Sequence, residues 1–166
     1  MPGHWEGDLI LGSVASGSAI GTLVERSTRF VMLLHLPDDH TAMAIQDAIV
    51  GKMATLPAIL RRTLTWDQGS EMANHIAIAA AAQLDIYFCD PHSPRQRGTN
   101  ENTNGLLRQY FAKGKDLSVF PADYLDYVAT KLNRRPRQTL GWKTPAEALD
   151  ELLSDPSKPP AVASIA

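Results

Sequence analysis

Three acidic residues stand where a fold could bring them together. Asp8 lies within the strand pattern 5–11, Asp67 directly follows Thr63-Leu64-Thr65-Trp66, and Glu101 opens a helical pattern. Clustered carboxylates repel one another unless a cation neutralises them, and an all-oxygen donor set selects hard Mg²⁺ or Mn²⁺. Two such ions can activate an attacking oxygen and stabilise a leaving one, which is what phosphodiester displacement requires. Each acid also has a plainer use. Asp67, ahead of Gly69-Ser70, suits a turn or cap, and Glu101 in a first helical turn suits the helix macrodipole. Asp8 is harder to explain away, because an acid in a buried strand is costly without a partner.

The surrounding pattern must position these acids. His4–Leu11 reads as a strand, with a Gly/Ser/Ala turn over 12–21. The β-rich runs 20–24 and 30–36, joined by the polar segment 25–29, form a hairpin signal, so three strands pair in sequence order. Ala44, Ile45, Ala48, Ile49 and Met53 recur at helical spacing, predicting a helix over 41–54 behind caps in 37–41. Thr63–Trp66 is a fourth strand and 67–70 its turn. Ile76, Ala79, Ala80 and Leu84 form the stripe of a second helix, and 86–89 a fifth strand. The loop 90–98 holds Pro91, Pro94 and Gly98 and is too rich in breakers to be regular. A helix starting near Thr99 carries Leu106, Leu107 and Tyr110 inward, and another spans Ala122–Asn133. Thr144-Pro145-Ala146-Glu147 is a capping box with proline at the first helical position, opening a last helix to about Leu153.

Three antiparallel strands followed by alternating units give an α/β fold, a five-stranded mixed sheet with helices on both faces. If its first and fourth strands are neighbours, Asp8 and Asp67 project side by side at one end of the sheet. Glu101 then closes the group from the helix above. Residues 154–166 have no periodicity and read as a flexible tail.

Composition narrows the class. With 44% apolar and 20% charged residues, the 166-residue chain is not disordered. Its one cysteine, Cys89, forbids an intrachain disulfide and a cysteine zinc cage, and at a strand end it reads as a buried, inert thiol. No run is long enough to span a membrane and no secretory signal opens the chain, so a soluble, cytoplasmic protein is expected. The net charge of −2 hides segregation: residues 91–143 hold ten Lys/Arg against four Asp/Glu, the rest six against fourteen. A basic half beside an acidic half suits a protein that grips a polyanion near a carboxylate-rich site. His4, Glu6 and Asp8 alternate and can share a strand face, which permits but does not demand a metal role for His4. Of the other histidines, His92 in the loop is the one best placed to touch a polyanion. Trp5, Trp66 and Trp142 read as core or domain-edge aromatics.

The segments HWEGDLI, TLVERSTRF, LTWDQGSEMA, FCDPHSPRQRGTNENTNGLLRQYF and LNRRPRQTLGWKTPAEAL closely resemble bacterial insertion-sequence transposases of the family numbered thirty. These are Asp-Asp-Glu transposases, akin to retroviral-type integrases, with a ribonuclease H-like core. The resemblance covers residues 3–153 and implies one catalytic core over 1–153. It matches Asp8, Asp67 and Glu101 to the family's catalytic, metal-holding acids, with 33 residues between the second and third. It matches Arg108, seven positions on and so on the same helical face, to the basic partner of the glutamate. Gly105 would let a DNA backbone approach, or simply loosen the helix. Where the family usually has an aromatic residue, this chain has Arg95.

The resemblance implies metal-dependent strand cleavage and transfer on double-stranded DNA, using two Mg²⁺ or Mn²⁺ ions and a homodimer or higher oligomer, nucleoid-associated when bound. Arg95, Arg97, Asn100, Asn104, Arg108, Lys113 and Lys115 are the expected phosphate contacts. Family members carry an N-terminal end-reading region, so this chain reads as an excised domain or truncated product. Two other readings stay open: a nuclease of the same fold without strand transfer, and an inactive core that binds DNA or a full-length transposase.

Overall fold

A computed structural model describes residues 2–67, 69–89 and 98–154, with residues 98–101 described by their backbone alone. Five strands, β1 (His4–Leu11), β2 (Ala19–Glu25), β3 (Val31–Leu36), β4 (Thr63–Trp66) and β5 (Asp85–Phe88), form one sheet in the order β3-β2-β1-β4-β5. The first three pair antiparallel in sequence order, while β4 joins β1, and β5 joins β4, in parallel. Five helices accompany them: α1 (Ala42–Met53), α2 (His75–Ala82), α3 (Gly98–Leu107), α4 (Ala122–Asn133) and α5 (Pro145–Ser154).

Period-two alternation divides the sheet into two faces. On one, Trp5, Leu23, Leu34, Leu64 and Trp66 pack with Ile45, Ile49 and Met53 of α1 and Ile78 and Ala82 of α2. On the other, Ile10, Ile20, Val24, Val31 and Leu33 meet Leu107, Phe111 and the Leu125, Val128 and Leu132 ridge of α4. Helices thus cover both faces, as expected. β2, flanked by strands and roofed twice, is buried throughout.

Caps set the helix boundaries. The Thr41 hydroxyl accepts the Ala44 N–H, and Asp39 in turn accepts the Thr41 N–H and hydroxyl. At α5 the capping box closes reciprocally: Thr144 Oγ1 accepts the Glu147 N–H, and the Glu147 carboxylate accepts the Thr144 N–H. Those bonds favour the charged form and hold the Glu147 carboxyl below its ordinary range. Ser154, placed in the tail by sequence, is the last residue of α5, its hydroxyl donating to the Asp150 carbonyl. Residues 155–166 lie outside the described residues, as does most of the loop 90–98.

One expectation needs correction. Ile76 and Ala80 are exposed, and α2 turns Ile78 and Ala82 to the core in their place. Of the tryptophans read as core or edge, Trp5 and Trp66 are wholly buried, while Trp142 is 67% exposed at φ 67°. Cys89 is buried, as expected. Among the described residues no helix is long and apolar enough to cross a membrane.

Gly7 fixes how closely β1 and β4 fit. A Cβ at Gly7 would lie 2.2 Å from Trp66 Cε3, so the indole takes the space that a side chain would fill. Gly51, in α1, has nothing within 4 Å of an added Cβ. Gly7→Ala is therefore expected to destabilise the fold by about 1–3 kcal/mol through overpacking. Gly51→Ala should stabilise it by about 0.5–1 kcal/mol, having no clash to offset the entropy gained. Thermal denaturation of both variants checks the opposite signs.

Candidate active site

The sheet makes neighbours of the strand that carries Asp8 and the strand that Asp67 directly follows. Register pairs His4 with Thr63, Trp5 with Leu64 and Glu6 with Thr65. Carried two residues further, the same register sets Asp8 level with Asp67. Because Trp5 and Trp66 belong to the α1–α2 face, alternation turns Asp8 and Asp67 to the opposite face, the one that α3 covers. Both acids are half-buried.

Asp8 is held on several sides. Its Oδ1 accepts the Leu9 N–H at 2.8 Å, and its Oδ2 accepts the Asn104 side-chain N–H at 3.1 Å. Its carbonyl accepts the hydroxyl of Thr22, its register partner on β2, at 3.3 Å. Asn104 is therefore a polar link between β1 and α3, beside the apolar packing of Ile10 and Leu107 in one core. Glu101 lies in the first turn of that helix, three positions before Asn104 and so on the adjoining turn. Its side chain lies outside the described residues.

The donor chemistry suits a hard divalent cation. Asp8 and Asp67 offer carboxylate oxygens, and Asn104 Oδ1 is a buried oxygen beside Asp8 with no hydrogen-bond partner. A buried acceptor in that state is stabilised by a cation or its water. No group of three His, Cys, Asp or Glu side chains among the described residues is arranged to hold a metal.

The other expected site residues separate. Asn104 directs its amide at Asp8, a role that sequence spacing did not reveal. Arg108, just past the end of α3, is half-buried and donates Nη1 to the Phe111 carbonyl, and burial pushes its guanidinium below its ordinary value. Gly105 is exposed with nothing within 4 Å of an added Cβ, which leaves the helix surface open there. Lys113 and Lys115 are exposed beyond α3. Arg95, Arg97 and His92, and the side chain of Asn100, lie outside the described residues.

Among the described residues His4 joins no metal-holding cluster. Its Nδ1 meets Thr63 Oγ1 at 2.8 Å, at the other end of the β1–β4 pairing, and burial together with Arg62 lowers its pKa. His35, His40 and His75 each bond a backbone carbonyl. Glu25, left by sequence inside a polar connection, is wholly buried and accepts from Gly3 N, Ser27 Oγ and the N–H and hydroxyl of Thr28. It is the turn's scaffold.

The Asn104–Asp8 contact is open to a charge test. Asn104→Asp replaces a donor with a carboxylate against Asp8, and the repulsion should cost about 1–3 kcal/mol at pH 7. The pair then holds a proton more tightly when folded than when unfolded. The deficit relative to the wild type should therefore shrink as pH falls from 7 towards 5. Urea denaturation at the two pH values measures it, and an undiminished deficit would mean that the carboxylates do not meet.

Comparison with known proteins places this arrangement. A family model described as the integrase core domain matches residues 1–94. The transposase for insertion sequence element IS1086 of Cupriavidus metallidurans is 55% identical over 157 residues, covering 95% of this chain and 46% of that protein. Transposase InsI for insertion sequence element IS30C of Escherichia coli is 47% identical over 148 residues, covering 89% of this chain and 38% of that protein. The chain spans less than half the length of these relatives. A chain of the simian T-cell lymphotropic virus intasome, solved in complex with a PP2A regulatory subunit, matches all of this chain and 59% of its own length. Its TM-score is 0.69 at 20% identity. That likeness is one of fold, ribonuclease H-like and of the retroviral integrase type. The chain belongs to the integrase core domain family, with insertion-sequence transposases of family thirty as its relatives.

Proposed function

We propose that this chain is a transposase catalytic core, with Asp8, Asp67 and Glu101 as its catalytic acids. One observation supports the reading: β1, which carries Asp8, is the parallel neighbour of β4, which Asp67 directly follows, and Asn104 of α3 donates to the Asp8 carboxylate. The relatives' names support DNA transposition as the setting, and the integrase core family supports polynucleotidyl transfer as the reaction.

The chemistry is two in-line displacements. Water attacks a phosphodiester at the element's end, one P–O bond forms as another breaks, and a 3′-hydroxyl is released. That hydroxyl attacks a phosphodiester of target DNA, again exchanging one P–O bond for another, so neither ATP nor a protein nucleophile is needed. Asp8, Asp67 and Glu101 would hold Mg²⁺ or Mn²⁺, two ions by the family pattern, which when bound favour the attacking oxygen and steady the leaving one. Asn104 orients the Asp8 carboxylate through its amide. Arg108, with donors beyond the one given to Phe111, holds a phosphate near the acids. Arg95, Arg97, Asn100, Lys113 and Lys115 extend the phosphate grip. Joining two ends takes more than one active site, so the working form is a homodimer or higher oligomer on double-stranded DNA in the cytoplasm.

Asp67→Asn tests this directly. The variant should keep the fold, judged by circular dichroism and melting temperature, and lose Mn²⁺-dependent strand transfer by about a hundredfold or more. Supplying a pre-cut end with a free 3′-hydroxyl and scoring joined products separates transfer from simple cutting. Wild-type rates in the variant would remove Asp67 from the mechanism, and cutting without joining by the parent chain would make it a nuclease.

A further inference from the structure

An indole lies on the outside of the turn that joins α4 to α5. Trp142 is 67% exposed, although the chain's other two tryptophans are wholly buried. The turn closes on itself over 137–143. The Arg137 N–H donates to the Lys143 carbonyl at 2.9 Å, and the Arg137 carbonyl accepts the Leu140 and Trp142 N–H groups at 3.0 and 2.8 Å. Leu140 is buried and anchors the turn from within. Just downstream, the capping box of Thr144 and Glu147 fixes the start of α5. Gly141 and Trp142 take φ of 63° and 67° in succession, both in the left-handed region.

Glycine adopts that backbone freely, but a bulky aromatic residue does so at a cost. Trp142 thus combines two unfavourable features, a strained backbone and a large apolar ring left in water. A small polar residue would relieve both. The bonds that close the turn join backbone groups and would survive any side chain at that position. What the indole adds is a flat ring held outward on a fixed support, which is useful only to something outside the chain.

Charge and place indicate what that is. Residues 134–143 hold Arg134, Arg135, Arg137 and Lys143 and no acid. Glu151 takes up Lys143, whereas Arg135 donates Nη2 to the neutral Tyr110 hydroxyl and keeps its charge. Arg134 is exposed. Such a stretch draws a polyanion. The turn also lies beside the candidate site, for Arg137, Gln138 and Thr139 share the wall of a cleft of about 240 Å³ with Asn102 and Thr103 of α3. Those two residues directly follow Glu101. An exposed ring among cations suits a nucleobase, whose π-face stacks on an aromatic side chain whatever the base. Inside a duplex those faces are covered by neighbouring pairs, so the base has to be unpaired. We propose that Trp142 is a stacking platform for an unpaired base at a DNA end held beside α3. The inference rests on the reading of this chain as a DNA-handling core and extends it from phosphates to a base.

The chain's own fluorescence provides the test, because acrylamide reaches Trp142 and neither buried tryptophan. A short duplex with an unpaired overhang is compared with a blunt duplex of the same paired length. Overhang DNA should lower acrylamide quenching of the parent chain severalfold, and blunt DNA should lower it far less. By anisotropy, Trp142→Gly should bind overhang DNA about tenfold more weakly and the blunt duplex as the parent does. Its plot of log K against log salt should keep the parent's slope, since no phosphate contact is lost. Trp142→Phe, which keeps a ring, should retain most of the affinity. Glycine suits the left-handed backbone, and quenching of the parent needs no variant, so it decides the matter should Trp142→Gly fail to fold. Parent-like overhang binding by the folded Trp142→Gly overturns the platform, as does equal protection from quenching by the two DNAs. Quenching that falls as the chain is concentrated without DNA would assign Trp142 to contact with a second copy and overturn the proposal. A parent chain that binds neither DNA overturns the DNA-handling reading and the platform with it.

Discussion

The parallel seam between β1 and β4 is the constraint on which the rest depends. Hydrogen bonding alone permits several registers, but side-chain shape admits one. Trp66 lies over Gly7, where no Cβ could fit, and the Trp5 indole donates to the Leu60 carbonyl at 2.8 Å just ahead of β4. A slip of one residue would lift Trp66 onto a neighbour with a side chain and turn Asp67 to the wrong face. The two tryptophans therefore fix β1, which carries Asp8, against β4, which Asp67 directly follows.

Much of this was legible in the sequence because it depends on neighbours in the chain. Period-two and helical spacing mark strands and helices whatever they pack against, and the capping box at Thr144 is complete within four residues. The acids were legible for a similar reason, since an aspartate in an apolar strand and another at a strand end are locally anomalous. What escaped depends on distant partners. Asn104 reaches Asp8 across 96 positions, and Asn133 pairs both its amide groups with the backbone of Val31 across 102. Nothing near either asparagine announces its partner. Ile76 misled because α2 is apolar nearly all round, so composition could not say which stripe faces inward. Glu25 was hidden by ordinariness, since an acid in a polar turn reads as solvated until the fold buries it.

The two faces of the sheet divide the work unequally. On the α1–α2 side the middle of the sheet buries both tryptophans and a row of aliphatic residues. On the α3 side β1 presents His4, Glu6 and Asp8 before it reaches Ile10, and β4 presents Thr63 and Thr65 before Asp67. Apolar packing there is confined to β2, β3 and the far end of β1, under α4 and the end of α3. The polar stripe occupies the part of the sheet that α4 leaves uncovered.

This division explains how a group of like charges can sit in a stable fold. Carboxylates drawn towards one another, as proposed for Asp8 and Asp67, cost electrostatic energy. The polar stripe keeps that cost outside the two apolar cores that hold the sheet together. Packing under α1, α2 and α4 sets the strands, and the bonds from Leu9 and Asn104 then hold the Asp8 carboxylate at the margin of that packing.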